Sequence, residues 1–365
     1  MPAIQAWFPP RPRALKGRRA ELATLERTLR SAAPTRLALV GAGGSGKSLL
    51  ACALGHRMRR FFGGQVHWFR VGAWDFRTLS EMLALGFGTP RGDGRVRALA
   101  RFLRDSGPRL IVLDNHENDE AMAELLEAFS KTPVTFVVTA RRCLLAGVLV
   151  FPVTAPLVTA GRSAFPRVAT LTRLLRFNPL SLDIADGIVA SGGATASALG
   201  EALRRKGIER VVAIEHEDDL REVALLVDWA WRRLPAESRR MLAVLAHIEG
   251  DHVDGESLAK LARVGRNGKR ALAALVAFRL IQEPLAGRFA LHAVVRHAVA
   301  RRTRSAHERV FEHYVSLLEH EPARLLLEQS HLFAAMDHAH RTNDLQAMMR
   351  VERLARHLDE LDLSR

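Results

Sequence analysis

The order of apolar and polar positions divides the chain into a strand-and-helix part and an all-helical part with one hairpin. Near the start, ALKGRRAELATLERTLRSA carries Leu22, Leu25 and Leu29 at helical spacing and stops before Pro34, which predicts a helix. A short apolar run at 36–40 reads as a strand. A glycine-rich turn follows it, then a helix from 47 to about 61. Further strands are predicted at 65–72, 109–115 and 134–140, with a candidate fifth in GVLVFPV. Between them, TLSEMLALGFG, VRALARFLRDSG and EAMAELLEAFSK read as helices. This alternation argues for a parallel sheet in a three-layer α/β arrangement.

After about Pro156 the strand signal fades. AFPRVATLTRLLRFNPLSLDIADGIVASGG reads as helical with a break at Asn178-Pro179, and a long helical tract is predicted from about Thr195. From Asp218 onward DDLREVALLVDWAWRRL, LPAESRRMLAVLAHIEG, DGESLAKLARVG and NGKRALAALVAFRL are helices. LIQEPLAGRFALH then reads as a β-hairpin turning near 284–287. Helices plus a hairpin predict a winged helix, closed by the helix AVVRHAVARRTR. SHLFAAMDHAHRTNDLQAMMRVERLARHL has the look of one helical hairpin turning at Thr342-Asn343-Asp344. A lone hairpin cannot bury its own apolar face, so an array of such units is expected to begin here.

Composition narrows the class. At 365 residues, 48% hydrophobic and 25% charged, the chain reads as globular with two to four domains. Two cysteines, Cys52 and Cys143, make no disulfide framework and lack metal-ligand spacing, which points to a reducing cytoplasm. No apolar run reaches the roughly 18 residues of a membrane helix, so no membrane partner is expected. MPAIQAWFPPRPRALKG lacks the apolar core of a secretory signal, and its prolines suggest an extended linker. The net charge of +15 invites nucleic acid. The basic residues are scattered over many helices, however, and there is a single tyrosine, so nucleic acid is a possible partner and not the favoured one.

Three motifs carry chemistry. Gly41-Ala42-Gly43-Gly44-Ser45-Gly46-Lys47-Ser48 sits between a predicted strand and a predicted helix. Glycines let main-chain N–H groups converge on phosphate oxygens, and the helix start adds a positive end. Gly41, Gly43, Gly44, Ser45, Gly46, Lys47, Ser48 and Leu49 are therefore expected to bind ATP or ADP. Lys47 would meet the β/γ-phosphates and Ser48 would hold Mg²⁺. Leu110-Ile111-Val112-Leu113 ends in Asp114, a carboxylate at a strand's C-terminal edge and a second expected Mg²⁺ ligand. The next residue is Asn115, which cannot serve as a general base. Either Glu117 activates water, or hydrolysis is slow. The strand VTFVVT ends before Ala140-Arg141-Arg142, and Thr139 and Arg141 are candidates to read the γ-phosphate.

In this order the motifs resemble the NB-ARC branch of the STAND ATPases, the signal-transduction ATPases with numerous domains. KGRRAEL resembles that family's first motif, which lies against adenine and implicates Gly17 and Arg18. GAGGSGKS and LIVLDN resemble its Walker elements, and VVTAR its sensor motif. FNPLSLDIA resembles its Gly-x-Pro-Leu motif, with Pro179 against the base and Phe177 where the family has glycine. ALHAVVRHA resembles its Met-His-Asp motif, implying that His292 reaches the β-phosphate of ADP; the family's Asp is Ala293 here.

The resemblance implies an ATP/ADP switch of the bacterial regulator type. An ADP-held closed state opens on exchange for ATP and self-associates, with slow hydrolysis. The organisation expected is a linker at 1–14, a P-loop nucleotide-binding domain at 15–155 and a helical domain at 156–212. A winged-helix domain at 213–303 and a TPR-like helical segment at 304–365 follow, the latter able to receive a sensor ligand or protein partner. Two alternatives stand beside it. One is an AAA-type ATPase whose winged helix binds DNA through Lys269-Arg270, Arg296 and Arg301-Arg302. The other is a small-molecule kinase, which explains the P-loop and leaves the winged helix without a role.

Overall fold

Leu22, Leu25 and Leu29 form the buried stripe of helix α1, Arg19–Ala32, as their spacing predicts. In the computed structural model, residues 8–12, 17–32, 34–89, 94–154, 165–207, 221–325 and 327–363 are described. Contacts gather the chain into two units. One comprises Met1–Gly41, Lys47–Val153 and Tyr314–Arg365; the other comprises Ala42–Gly46 and Thr154–His313.

The first unit is built on a five-stranded sheet. Its strands are β1 (Arg36–Val40), β2 (Val66–Arg70), β3 (Arg109–His116), β4 (Val134–Ala140) and β5 (Leu149–Pro152). They lie in the order β2-β3-β4-β1-β5, and every pairing is parallel. The central strands are near-continuous apolar runs because both faces are covered. Helices α2 (Lys47–Met58), α3 (Phe76–Gly86), α4 (Arg95–Asp105) and α5 (Asp119–Ala128) connect them. The glycine-rich turn leaves β1 beside β4, so the tip of β4 separates it from the end of β3.

The linker expected at 1–14 is partly inside this unit. Phe8 lies edge-on to His56 and Trp68 and packs on the main core cluster. His56 Nε2 donates to Pro9 O at 2.9 Å. A Cβ at Gly55 would stand 2.4 Å from Phe8 Cζ, so glycine here makes room for the ring. Residues 1–7 and 13–16 lie outside the described residues.

Helices α13 (His307–His320), α14 (Gln329–Thr342) and α15 (Leu345–Leu363) end the chain. The turn falls at Asn343, in a left-handed conformation at φ 52°. Phe333 of α14 meets Trp74, so this hairpin buries part of its apolar face against the sheet unit. Leu345 and Met349 stay exposed on α15.

The second unit opens with a 3₁₀ segment, Pro166–Leu171, where a helix was expected. Helix α6 (Pro179–Ala190) starts at the predicted break, with Asn178 as its cap. Helix α7 (Ala196–Arg205) is far shorter than the long tract expected from Thr195; residues 208–220 lie outside the described ones. Helices α8 (Arg221–Trp231), α9 (Ala236–Leu245), α10 (Gly255–Ala262), α11 (Gly268–Ala277) and α12 (Ala293–Ala300) follow. A three-stranded antiparallel sheet joins β6 (Val253–Asp254), β8 (Arg288–Leu291) and β7 (Ile281–Leu285) in that order. Two details differ from the sequence reading. Pro284 lies within β7, an edge strand, where a missing N–H is tolerated, and the turn is at Ala286-Gly287. β6, two residues long, is too short to leave an alternating pattern.

Three carboxylates tie the helices of this unit together. Asp228 of α8 accepts from Lys206, Arg232 and Arg302. Arg279, just after α11, bonds Asp183 at 2.6 Å and Asp186 at 2.8 Å on α6.

Candidate functional site

At the top of β1 the chain leaves the sheet, and Gly41 N–H donates to Ala140 O at 3.3 Å. Gly44 and Gly46 take φ of 73° and 93°, backbone that a side chain would strain. Helix α2 then begins at Lys47. The first N–H groups of a helix have no intrahelical acceptor, and its dipole makes this end positive. Lys47 Nζ donates to Gly41 O at 2.6 Å, which folds the ammonium back over the loop. Ser48 and Leu49 are exposed on the first turn, whereas Gly43, Gly44 and Ser45 are buried.

The loop is also held from a second side. Asn178 Nδ2 donates to Gly43 O at 2.9 Å, while its Oδ1 caps α6 by accepting from Ser181 N–H at 3.0 Å. A Cβ on Gly44 would stand 2.7 Å from Leu180 Cβ and 2.9 Å from Asn178 Oδ1. Gly44 therefore answers two demands: a left-handed turn, and close approach of the residues flanking Pro179. The sequence reading passed over Asn178 in favour of Pro179. Asn followed by Pro at the first helical position is a helix-start signal that could have found it.

The end of β3 forms a second cluster. Between Leu113 and His116 the pairing with β4 shifts register by one extra residue, a bulge, with Asn115 at φ 63°. Thr139 Oγ1 donates to Asp114 Oδ1 at 2.6 Å and accepts from Asn115 N–H at 2.9 Å. Asn115 Nδ2 in turn donates to Glu117 Oε1 at 2.9 Å. Asp114 is buried and Glu117 exposed. Asp114 also reaches α2 electrostatically: burial first, and then its charge, push the Cys52 thiol up to about 12. Thr139, expected to read a phosphate, has its hydroxyl proton on Asp114 here.

The remaining candidates occupy other positions. Gly17 stands at φ 74° before α1, and the next residue, Arg18, is buried with Nη1 2.9 Å from both Glu21 oxygens. Arg141 is exposed beyond β4. Pro179 is the first residue of α6. His292 caps α12, its Nδ1 accepting from Val294 N–H at 3.2 Å, which leaves Nε2 to carry the proton of the neutral ring. Phe177 stands at φ 57°, a left-handed conformation that glycine adopts more freely.

Chemically, the loop, the helix start and Lys47 are a donor set for a di- or triphosphate. Ser48 and Asp114 supply oxygens of the hard kind that Mg²⁺ prefers. Among the described residues no helix is long and apolar enough to cross a membrane, and no His/Cys/Asp/Glu cluster could hold a metal by itself.

No protein-family model matches the chain, and no curated protein does. Among solved structures it is similar to a STAND protein with a tetratricopeptide-repeat sensor from Pyrococcus horikoshii, at TM-score 0.58 and 17% identity. That match covers 95% of this chain and 51% of the other, so the chain spans about half the length of that protein. Aeropyrum pernix Orc1 in complex with DNA matches at TM-score 0.31 and 18% identity, covering 80% of this chain and 94% of that one. Drosophila ORC bound to DNA matches at TM-score 0.37 and 15% identity, covering 82% and 90%. The five-stranded parallel sheet, with its glycine loop between β1 and α2, has the fold of a P-loop NTPase domain.

Proposed function

We propose that the chain is an ATP/ADP-binding switch of the NB-ARC/STAND kind that holds its nucleotide and turns it over slowly. The observation that carries this reading is the glycine loop itself, with Lys47 folded over it and Asn178 bonded to Gly43. In this reading Gly41, Gly43, Gly44, Ser45, Gly46, Lys47, Ser48 and Leu49 grip the phosphates. Ser48 and Asp114 hold Mg²⁺, and Gly17, Arg18 and Pro179 contact the base. His292 offers an Nε2 proton to the β-phosphate of ADP. Arg141 and Thr139 respond to the γ-phosphate, Thr139 through Asp114. When bound, Mg²⁺ would neutralise phosphate charge.

Slow turnover is supported by the residues after Asp114. Glu117, the nearest carboxylate able to take a proton from water, has one oxygen occupied by the Asn115 amide. The other oxygen keeps its acceptor sites, so the support for slow turnover is that Asn115, which cannot act as a base, directly follows Asp114. The helices α9–α11 with the β7–β8 hairpin act as the winged helix. ATP-driven opening and self-association are the expected output, in the cytoplasm. Helices α14 and α15, a TPR-like pair, begin the surface that receives a sensor ligand or protein partner.

The test is the nucleotide that accompanies the purified protein. Extraction and chromatography should return ADP from wild type and none from Lys47→Ala. Multiple turnover of ATP should stay below about one per second. Nucleotide-free wild type with no measurable ATP or ADP binding would refute the reading.

A further inference from the structure

Between Ser257 and Gln282 the sequence contains six basic residues and no acidic one. Arg279 is the exception among the six, bonded to Asp183 and Asp186. Lys260, Arg263, Arg266, Lys269 and Arg270 are all exposed, and among the described residues none makes an ion pair. Elsewhere the pattern is mixed: Arg97, Arg101 and Arg104 on α4 are also exposed and make no ion pair among the described residues, while other exposed cations are paired. Exposed Arg30 and Arg57 share Glu26, Arg77 bonds Glu81, and Arg341 bonds Asp337. The chain's basic excess is locally neutralised in those places and left open here.

The five cations lie on one helix–turn–helix. Lys260 and Arg263 close α10, Arg266 is in the connecting 3₁₀ turn, and Lys269 and Arg270 open α11. Arg263 sits at φ 54°, where glycine would cost less. Along α11 the exposed face continues from Lys269 and Arg270 to Ala273, Val276 and Ala277. The helix thus presents charge at one end and small side chains at the other.

We infer that this face of α11, with the turn before it, docks duplex DNA, on residues separate from the nucleotide site. A helix of about 15 Å with small outward residues fits a major groove about 12 Å wide, its cations reaching flanking phosphates. The deep, narrow major groove of double-stranded RNA does not admit such a helix. Single strands are held largely by stacking on aromatic rings, and this stretch has no exposed aromatic residue. A membrane surface needs apolar anchors among the charges, and the apolar side chain of greatest size exposed on this face is a valine, Val276, 38% exposed. On the hairpin, Glu283 is exposed and accepts from Gly287 N–H at 2.7 Å.

The experiment is fluorescence anisotropy of a labelled mixed-sequence duplex of about two helical turns, titrated with the full chain between about 50 and 200 mM salt. Wild type should bind with a steep salt dependence. Lys269→Ala/Arg270→Ala should weaken binding more than tenfold and reduce the log–log salt slope by about 2. Arg59→Ala/Arg60→Ala removes the same charge from exposed positions on the other unit and should change the slope little. Arg266→Glu, outside any α-helix, should weaken binding without altering helix content. The inference is overturned if wild type fails to bind duplex at about 50 mM salt. Equal losses in the two double variants would overturn it too. So would tighter binding of a single strand, or of vesicles containing phosphatidylserine, lost in the Lys269/Arg270 variant.

Discussion

The side-chain amide of Asn178 donates to the main-chain carbonyl of Gly43 at 2.9 Å, across 135 positions of sequence. One residue thereby caps a helix with its oxygen and restrains the phosphate loop with its nitrogen. The two roles are separable. Asn178→Asp keeps the cap and loses the donor; Asn178→Ala loses both. The alanine variant should lose about 1 kcal/mol of stability from the cap, and the aspartate variant markedly less. Both should bind ADP more weakly, by about fivefold, for want of a bond of about 1 kcal/mol. Chemical denaturation and calorimetric titration measure the two quantities separately, and unchanged ADP affinity in Asn178→Asp would remove the loop restraint from the account.

Thr139 links Asp114 to the Asn115 main chain. Thr139→Val preserves shape and deletes the hydroxyl, leaving the N–H of Asn115 without that acceptor and Asp114 without its donor. A stability loss of about 1–3 kcal/mol is expected, with weaker Mg²⁺-dependent nucleotide binding. Thr139→Ser should restore most of both. Equal damage from valine and serine would mean that the methyl group, and not the hydroxyl, matters.

Phe8 and Gly55 are a matched pair. Gly55→Ala drives a methyl group into the ring and should cost about 2 kcal/mol. In a Phe8→Ala background the same change should become stabilising by up to about 1 kcal/mol, because alanine is the better helix former. A double-mutant cycle read by thermal unfolding gives the coupling. Additive effects would detach the N-terminal segment from α2.

Acid should act in two separate windows. Burial, and then the charge of Arg109, hold the imidazole of His67 down at about 4. The unfolded chain binds that proton near 6.5, so stability present at neutral pH falls as pH drops from about 6.5 through 4. His67→Phe should flatten this decline in urea unfolding curves. Asp228 is the opposite type. Burial opposes its charge, and hydrogen bonds from Arg302 and Lys206 overcome that, drawing it down to about 2. Its contribution is complete above about 4 and is lost as pH falls towards 2. Asp228→Asn should show no further loss in that lower window.

Local patterns made the sheet legible and the long-range bonds invisible. The run at Val134–Ala140 reads as a strand at its observed bounds because five of its seven residues are β-branched and none is charged. Asp114 could be assigned to a strand end because the apolar run Leu110-Ile111-Val112-Leu113 precedes it. That its carboxylate meets Thr139 depends on β4 lying beside β3, a pairing no run of residues encodes. The bulge at Asn115 was hidden because asparagine gives no sign of which allowed conformation it adopts. The 3₁₀ segment at Pro166–Leu171 passed for α-helix since three- and four-residue spacings bury nearly the same positions in so short a piece. Phe8 read as linker because two prolines follow it, and its pocket is made by a missing side chain at Gly55.

Helix α6 has engagements at both ends of its buried face. Its start touches Gly43 and Gly44, while farther along Asp183 and Asp186 bond Arg279, and Gly187 lies against the Phe278 main chain, where a Cβ would come within 2.8 Å. A helix of 12 residues is a rod about 18 Å long that bends little. Contacts at both stations make it a mechanical link between them. A displacement of the phosphate loop along its axis would press on the junction that feeds β7.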